Sequence, residues 1–109
     1  MSYSKLEKDN EGYLLDPSDW DEDIALQIAS QEKIDLTQNH WQIINFIRLY
    51  FEDYQSVPEL RKTLSHLKET LGSESSTRKF VYNLFPYGYG QQACKIAGMR
   101  KPLKLMLDI

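Results

Sequence analysis

The segment from residue 37 to residue 54 constrains the fold most, because its apolar residues recur with the period of an α-helix. One face carries four large apolar residues, and three more lie beside it: Trp41, Ile44, Ile47 and Phe51, then Ile43, Phe46 and Tyr50. A helix that is apolar over so much of its circumference must be covered on several sides. The segment therefore predicts a central helix, with Thr37 as its N-cap and Arg48 interrupting its apolar face.

Four further helices are predicted from apolar periods and from residues that favour helix ends. The five helices are expected to open near residues 18, 37, 58, 78 and 91 and to end near residues 33, 54, 71, 84 and 97. Ser18 is the expected N-cap of the first helix, and Pro58 is expected in the first turn of the third. Gly72 and Gly98 are natural stops after the third and fifth helices.

The two ends of the chain are predicted to be less regular. Residues 2–15 are typical of a short β-hairpin, because the turn-forming residues 9–12 separate two stretches that contain apolar residues. Residues 98–109 keep no period and contain Pro102, so they are expected to form an extended C-terminal arm. The predicted fold class is α+β and mostly helical, with a small N-terminal β-hairpin or meander packed on about five helices.

Composition places the chain among globular proteins of one domain, residues 1–109, because it has 109 residues and 41% of them are apolar. A single cysteine cannot form a disulfide within the chain, which fits a reducing compartment. We see no apolar core of a signal peptide near Met1, and the longest mostly apolar run, residues 41–47, is too short to span a bilayer. We therefore expect a soluble, cytoplasmic protein, and nothing in the sequence requires more than a monomer.

Charge is distributed unevenly along the chain, although the net charge is only −3. From Arg78 onward there are six basic residues and one acidic residue, so the rest of the chain is strongly acidic. A basic end on an acidic body favours an anionic partner at that end. The last sixteen residues hold only four basic residues, and the helices carry acidic clusters such as residues 21–23, so direct nucleic-acid binding is not expected.

Common catalytic and metal-binding patterns are missing from the sequence. His40, His66 and Cys94 do not have the spacing of metal ligands, so no metal site is predicted, and both histidines are expected at the surface or a helix edge. No nucleotide-binding loop or hydrolase motif is present, and no cofactor is predicted. Cys94 is the one residue with nucleophilic or redox potential, because a helix N-terminus and the adjacent Lys95 would favour its thiolate. The alternative is a small buried residue that packs beside Ala93 and Ala97.

A longer pattern in the last third of the chain is more specific than composition. It consists of residues 79–86, Gly88, residues 92–98, and Lys101 with Pro102. Similar residues stand upstream at positions 10–14, Trp20, His40, Trp41 and Arg61. The pattern resembles the DsrC/TusE family, which comprises the gamma subunit-like protein of dissimilatory sulfite reductase and the sulfur-relay protein of tRNA 2-thiouridine synthesis. The resemblance spans nearly the whole chain.

The resemblance implies an N-terminal β-meander packed on helices, and a mechanism of persulfide transfer. In the family, a cysteine at the penultimate position of a mobile C-terminal arm accepts a sulfane sulfur and delivers it inside a partner. DsrC members carry a second cysteine eleven residues earlier, and Cys94 matches that upstream cysteine. Leu105 stands where the carrier cysteine is expected, so the sequence leaves open whether this sulfurtransferase-like chain is an enzyme. Tyr89, Gln91 and Arg100 replace the proline, lysine and proline that the family usually shows.

Two functions follow as hypotheses. The first is a sulfur-relay protein, a persulfide carrier of sulfur metabolism or tRNA 2-thiouridine synthesis, that handles sulfur through Cys94 alone. The alternative is a non-catalytic regulatory or binding paralogue that docks on sulfite reductase or sulfur-relay partners through the apolar arm residues 103–109. In either case the expected partners are proteins, and the candidate partner-binding residues are Arg61, Lys95, Arg100 and Lys101.

Overall fold

Helices make up most of the structure, a computed structural model that describes residues 2–102. In chain order they are α1 (Glu22–Gln31), α2 (Gln38–Tyr54), α3 (Leu60–Leu71), α4 (Arg78–Leu84) and α5 (Cys94–Ile96). A π-helical turn, Tyr89–Ala93, runs directly into α5, and short 3₁₀ turns occur at Tyr3–Lys5, Pro17–Asp19 and Ser73–Ser75. No helix within residues 2–102 is both long enough and apolar enough to cross a bilayer.

The prediction for α2 is confirmed. The helix begins after Thr37 and ends at Tyr54, where Gln55 adopts a left-handed conformation (φ 53°). Its inward face buries Ile43, Ile44 and Ile47 completely, and it contacts α3, α5 and the π-helical turn. The wide apolar face of α2 is therefore covered on several sides, as expected for a helix of this kind.

The start of α1 differs from the prediction. Ser18 is not an N-cap: it lies in the Pro17–Asp19 turn, where its N–H donates to Asp16 Oδ1 at 3.0 Å. Asp21 caps α1 instead, since its side chain accepts from the N–H of Ile24 at 2.9 Å. Asp16 and Asp21 both favour a helix start and stand five positions apart. Asp21 is closer to the buried residue Ile24, and it marks the start of α1.

The bounds of α3 and α4 agree with the prediction within two residues. Pro58 precedes α3 rather than lying in its first turn, and Gly72 ends the helix with φ +104°. Thr77 caps α4, because its Oγ1 accepts from the N–H of Phe80 at 3.1 Å. These two helices contribute Leu60, Leu67 and Val81 to the core, and all three are fully buried.

The predicted N-terminal β-hairpin or meander is wrong, and with it the α+β fold class. Among residues 2–102 there is no strand or sheet, and the chain forms a single isolated antiparallel bridge between Lys8 and Leu14. Lys8 Nζ donates to the carbonyls of Tyr3 and Leu6, at 3.1 and 3.0 Å, and the chain before it forms the Tyr3–Lys5 3₁₀ turn rather than an extended strand. Asp9 Oδ1 accepts from two backbone N–H groups within the turn. Local side-chain bonds therefore replace strand pairing, and residues 2–15 form a loop.

The chain leaves the core after α5. Gly98 has φ +80°, and a Cβ built on it would lie 2.4 Å from Trp20 Cδ1, so this position requires glycine. Residues 99–102 carry no helix or strand. The remainder of the predicted C-terminal arm, residues 103–109 with Leu105, lies outside the described residues.

Candidate functional site

Cys94 lies where the π-helical turn becomes α5, and its side chain is fully buried. Its backbone N–H donates to the carbonyl of Tyr89, five residues earlier, which is the bond that defines a π-helical turn. Cys94 is not part of a disulfide. Because α5 is only three residues long, the helix-dipole argument for an activated thiolate has little weight here. The residues around it, Ala93, Ile96 and Ala97, are also fully buried.

Two buried tyrosines flank Cys94. The Tyr13 hydroxyl donates to the carbonyl of Gly90 at 3.3 Å, and burial, followed by the negative charges of Glu11 and of an ionised Cys94, raises the pKa of Tyr13 to about 12. The Tyr89 hydroxyl donates to the carbonyl of Pro58 at 2.8 Å and lies 2.8 Å from the hydroxyl of Thr63. Burial, and then the charge of an ionised Cys94, raises the pKa of Tyr89 well above 10. Both tyrosines are therefore neutral over the physiological range.

Lys95, a predicted partner-binding residue, is engaged within the protein. Its Nζ lies 3.0 Å from Glu32 Oε2, and only 13% of its side chain is exposed. The other carboxylate oxygen of Glu32 accepts from Gln92 Nε2 at 3.3 Å, and Gln92 Oε1 accepts from the N–H of Tyr87 at 2.9 Å. These contacts fasten the residues around Cys94 to the end of α1.

The other three predicted partner-binding residues are exposed. Arg61 lies on α3 with 65% of its side chain exposed and pairs with Glu59 at 3.4 Å. Lys101 forms an ion pair with Glu11 on the N-terminal loop, and this hydrogen-bonded carboxylate raises the pKa of Lys101. Arg100 is exposed. The structure thus brings Lys101 and Lys95 to the same N-terminal loop, because Lys95 Nζ also lies 5.7 Å from the centre of the Tyr13 ring.

An open cleft of about 590 Å³ lies beside the Cys94 region. The N-terminal loop contributes Glu11 and Tyr13, the end of α4 contributes Tyr82, and the tail contributes Lys101 and Pro102. Residues 86–91, which lead into Cys94, complete its wall. Side chains rich in aromatic rings with a few polar groups are typical of binding clefts.

The contacts of Arg48 explain why a charged residue interrupts the apolar face of α2. Its guanidinium donates to the carbonyls of Ala97 and Pro17, at 3.1 and 3.0 Å, and lies 4.4 Å from the centre of the Trp20 ring. Trp20 Nε1 donates to the carbonyl of Ile96 at 2.8 Å. Two side chains therefore satisfy carbonyls at the end of α5 that a three-residue helix cannot satisfy itself. Burial lowers the pKa of Arg48 from its ordinary value.

His40 is buried, with 6% of its surface exposed, so the prediction of a surface histidine is wrong for this residue. Its Nδ1 accepts from the N–H of Thr37 at 3.0 Å, which places the ring proton on Nε2, and Nε2 donates to the carbonyl of Leu84 at 2.9 Å. The ring meets Phe85 edge to face, with centres 5.0 Å apart. Burial lowers the pKa of His40. Among residues 2–102, no group of three or more His, Cys, Asp or Glu side chains is arranged to hold a metal ion.

The residues around Cys94 were not identified as site residues from the sequence. Tyr13, Glu32, Thr63 and Tyr89 come from four different parts of the chain, and no spacing rule joins them. Tyr13 and Tyr89 carried signals, because Tyr13 lies in the family-like positions 10–14 and Tyr89 departs from the family pattern close to Cys94. Arg48 carried another, as a charged residue on an apolar helix face.

Comparison with known proteins agrees with the resemblance found in the sequence. The family described as DsrC like protein matches residues 1–106. The Sulfurtransferase TusE of Photorhabdus laumondii is 42% identical over 100 residues, which are 92% of this chain and 90% of that protein. The oxidised gamma subunit of the dissimilatory sulfite reductase (DsrC) from Archaeoglobus fulgidus superposes with a TM-score of 0.83 at 36% identity, covering 90% of each chain.

A second solved structure gives the same result. The DsrC of Allochromatium vinosum, determined by NMR, superposes with a TM-score of 0.80 at 43% identity, over 90% of this chain and 88% of that one. The family prediction and the sulfur-relay class are therefore confirmed, and the similarity covers both the helices and the Cys94 region. This chain belongs to the DsrC-like protein family.

Proposed function

We propose that this chain, as a single domain, acts as a sulfur carrier in a sulfur relay, and that Cys94 is the thiol that accepts the sulfur. The observation that supports the proposal most is the match to sulfurtransferase relatives over nine tenths of the chain, together with a single cysteine in the sequence. Cys94 is the only position in this sequence where a protein-bound persulfide can form.

The transfer is ordinary thiol–disulfide chemistry. The Cys94 thiolate attacks the outer sulfur of a persulfide on a donor cysteine, and a new S–S bond forms at Cys94. The S–S bond of the donor breaks, and the donor cysteine leaves as a thiolate that takes up the proton released by Cys94. No net oxidation takes place, because one S–S bond replaces another. The same exchange in reverse hands the sulfur to an acceptor thiol.

Burial of Cys94 sets a condition on this chemistry. The thiol has no exposed surface, so a donor reaches it only when residues 88–95 separate from the N-terminal loop and from the end of α1. The contacts that must open are few: the bond from Tyr13 to Gly90 and the contacts of Glu32 with Gln92 and Lys95. We expect a partner protein to favour this opening, and transfer from a small donor to be slow in its absence.

The partner surface is proposed to include Arg61, Lys95, Arg100 and Lys101. Arg61, Arg100 and Lys101 are already exposed, and Lys95 would join them once it leaves Glu32. Four cations favour a partner with an acidic surface. Since one relative is a gamma subunit of dissimilatory sulfite reductase and another is a sulfurtransferase, we propose a protein partner of the sulfite reductase or sulfur-relay type and a monomeric chain in its absence.

The test is intact-mass analysis after incubation with a low-molecular-weight persulfide donor. We expect wild-type protein to gain the mass of one sulfur atom slowly, and the C94S variant to gain none. A cysteine-containing peptide in the same tube shows that the donor is active. If the peptide gains sulfur and wild-type protein does not, Cys94 is not a carrier and the alternative of a binding protein becomes the better description.

A further inference from the structure

Residues 9–13, here called the N-terminal tip, are held together by bonds among themselves. The N–H of Asp9 donates to the Tyr13 carbonyl at 2.9 Å, and the N–H of Gly12 donates to the Asp9 carbonyl at 3.1 Å. Asp9 Oδ1 accepts from the N–H groups of Glu11 and Tyr13, at 2.9 and 3.0 Å. Because these bonds lie within the N-terminal tip, it keeps its own structure when its contacts with the rest of the chain break.

The base of the N-terminal loop is anchored more firmly than the N-terminal tip. Tyr3 and Leu14 are buried in the core, and the N–H of Tyr3 donates to Gln27 Oε1 on α1 at 3.0 Å. The Tyr3 hydroxyl donates to the Gly12 carbonyl, which ties the N-terminal tip to this base. Movement of the N-terminal tip therefore pivots on Tyr3 and Leu14 and leaves the core intact.

The N-terminal tip lies against residues on both sides of Cys94. On one side, the Tyr13 hydroxyl donates to the Gly90 carbonyl at 3.3 Å. On the other side, Lys95 Nζ lies 5.7 Å from the centre of the Tyr13 ring. A Cβ built on Gly12 would lie only 3.0 Å from Lys95 Cε, so the backbone of the N-terminal tip packs directly on this lysine. The N-terminal tip therefore covers the chain around Cys94 on this side.

Opposite charges hold the N-terminal half of the chain to this region. Glu11 forms an ion pair with Lys101, and about half of each side chain is exposed (50% and 57%). Glu32 holds Lys95 Nζ at 3.0 Å. Lys101 and Lys95 are two of the four cations proposed for the partner surface. Carboxylates of the chain itself therefore occupy the positions that carboxylates of an acidic partner would take.

We propose that the N-terminal tip is an autoinhibitory cover: in the free protein it occupies Lys101 and Lys95, and an acidic surface of the partner displaces it and so opens the way to Cys94. This inference deepens the proposed function and rests on it for the role of the partner in sulfur transfer. The covering of Cys94 rests on the contacts of the N-terminal tip alone. An exposed ion pair is weak and is screened by salt, so several carboxylates on a partner compete with it effectively.

The experiment measures how fast Cys94 reacts with iodoacetamide, an uncharged reagent, by mass spectrometry of the intact protein. Glu11→Gln removes the charge that pairs with Lys101. Glu69→Gln is the matched control, because it removes the same charge from an exposed position on α3. We expect Glu11→Gln to react about two- to fivefold faster than wild-type protein, which is the range that loss of an exposed ion pair allows. Glu69→Gln should react at the wild-type rate.

Lys101→Gln removes the same ion pair from the other side, so it should give the same acceleration as Glu11→Gln. The double variant should be no faster than either single variant, because the two changes remove one shared contact. Hydrogen exchange is measured in parallel, since it does not depend on the ionisation of the thiol. Residues 9–13 and 88–95 should exchange faster in both single variants, while α2 exchanges as in wild-type protein. Faster exchange in α2, or unchanged exchange of residues 88–95, would overturn the proposal.

An octaglutamate peptide serves as the probe for an acidic partner, and a serine–glycine peptide of the same length is its control. At low salt, octaglutamate should speed the reaction of wild-type Cys94 by about twofold or more and leave the rate of Lys101→Gln unchanged. The control peptide should change neither rate. If octaglutamate slows the wild-type reaction or does not change it, carboxylates do not displace the N-terminal tip and the proposal is wrong.

Persulfide loading separates this inference from the proposed function. If wild-type protein gains no sulfur while Glu11→Gln still reacts faster with iodoacetamide, the carrier function fails and the covering of Cys94 stands. If wild-type protein gains sulfur while Glu11→Gln and Glu69→Gln react and exchange alike, the carrier function stands and the role of the N-terminal tip is wrong. We expect wild-type protein to gain sulfur and Glu11→Gln to gain it faster.

Discussion

The residues around Cys94 and the outer face of α2 are held in opposite ways. Residues 89–99, here called the Cys94 segment, are mostly buried, and side chains from elsewhere in the chain hold them: Tyr13 bonds to Gly90, Trp20 to Ile96 and Arg48 to Ala97. The outer face of α2 exposes 61% of Leu49 and 65% of Tyr54, and its rings contact one another and side chains of α3. An irregular buried segment depends on a few directional bonds, whereas a regular helix depends on many interchangeable apolar contacts.

The largest effect is expected at the exit of the Cys94 segment. Gly98→Ala places a Cβ 2.4 Å from the Trp20 ring and forces alanine to φ +80°, so we expect a loss of about 3 kcal/mol or more in the free energy of unfolding. Gly72→Ala is the matched control, because Gly72 also has a positive φ (+104°) but has no atom within 4 Å of the added Cβ. Its expected loss is about 1 kcal/mol. Chemical denaturation measures both, and equal losses would show that the contact with Trp20 is unimportant.

A smaller loss is expected at Arg48. Arg48→Met keeps an apolar stem but removes the donors to the Pro17 and Ala97 carbonyls, so we expect a loss of about 2 kcal/mol in the free energy of unfolding. Leu49→Gln, one position further on the exposed side of the same helix, should change this free energy by about 0.5 kcal/mol or less. Urea titration of the two variants sharpens the contrast between the regions. Similar losses of unfolding free energy in both variants would argue that the apolar contacts on the outer face of α2 are not interchangeable.

The smallest effect is a pH dependence carried by His40. Burial lowers the pKa of His40 below 6.5, so the folded state binds fewer protons than the unfolded state between the two values. The contribution of neutral His40 is therefore complete above pH of about 6.5 and is lost as the pH falls towards the folded-state pKa. Unfolding measured at several pH values should show stability falling on acidification. His40→Gln should flatten this slope, while His66→Gln, which changes a ring stacked on Phe46 at 4.4 Å, should keep it.

The helices could be predicted because their signals are local. The buried positions of α2 repeat with the helical period, and Thr37 and Gly72 mark boundaries in the sequence itself. Sequence reasoning failed at residues 2–15, where turn-forming residues between two partly apolar stretches predicted a hairpin but Lys8 and Asp9 bind the backbone locally. A side chain prevents strand pairing when it can bond to backbone groups of the loop. Which side chains can do so depends on the folded conformation of the loop and not on the sequence alone.

The site could be predicted only in part. The family pattern pointed to Cys94, yet the groups that surround it come from residues far away along the chain, such as Tyr13, Glu32 and Thr63. Contacts of this kind leave no periodic trace in the sequence. His40 shows the same limit, because polar neighbours on a helix suggested exposure, whereas a carbonyl 44 positions later gives its ring a buried partner.

The long reach of these bonds has a consequence for the order of folding. Tyr13 and Gly90 are 77 positions apart, and Trp20 and Ile96 are 76 positions apart. During synthesis the N-terminal loop leaves the ribosome first, but its partners appear only after most of the chain has emerged. Loop closure over such separations is slow compared with helix formation, so α2 and α3 can assemble before residues 2–21 take their final structure. A segment made late thus fixes the structure of a segment made much earlier.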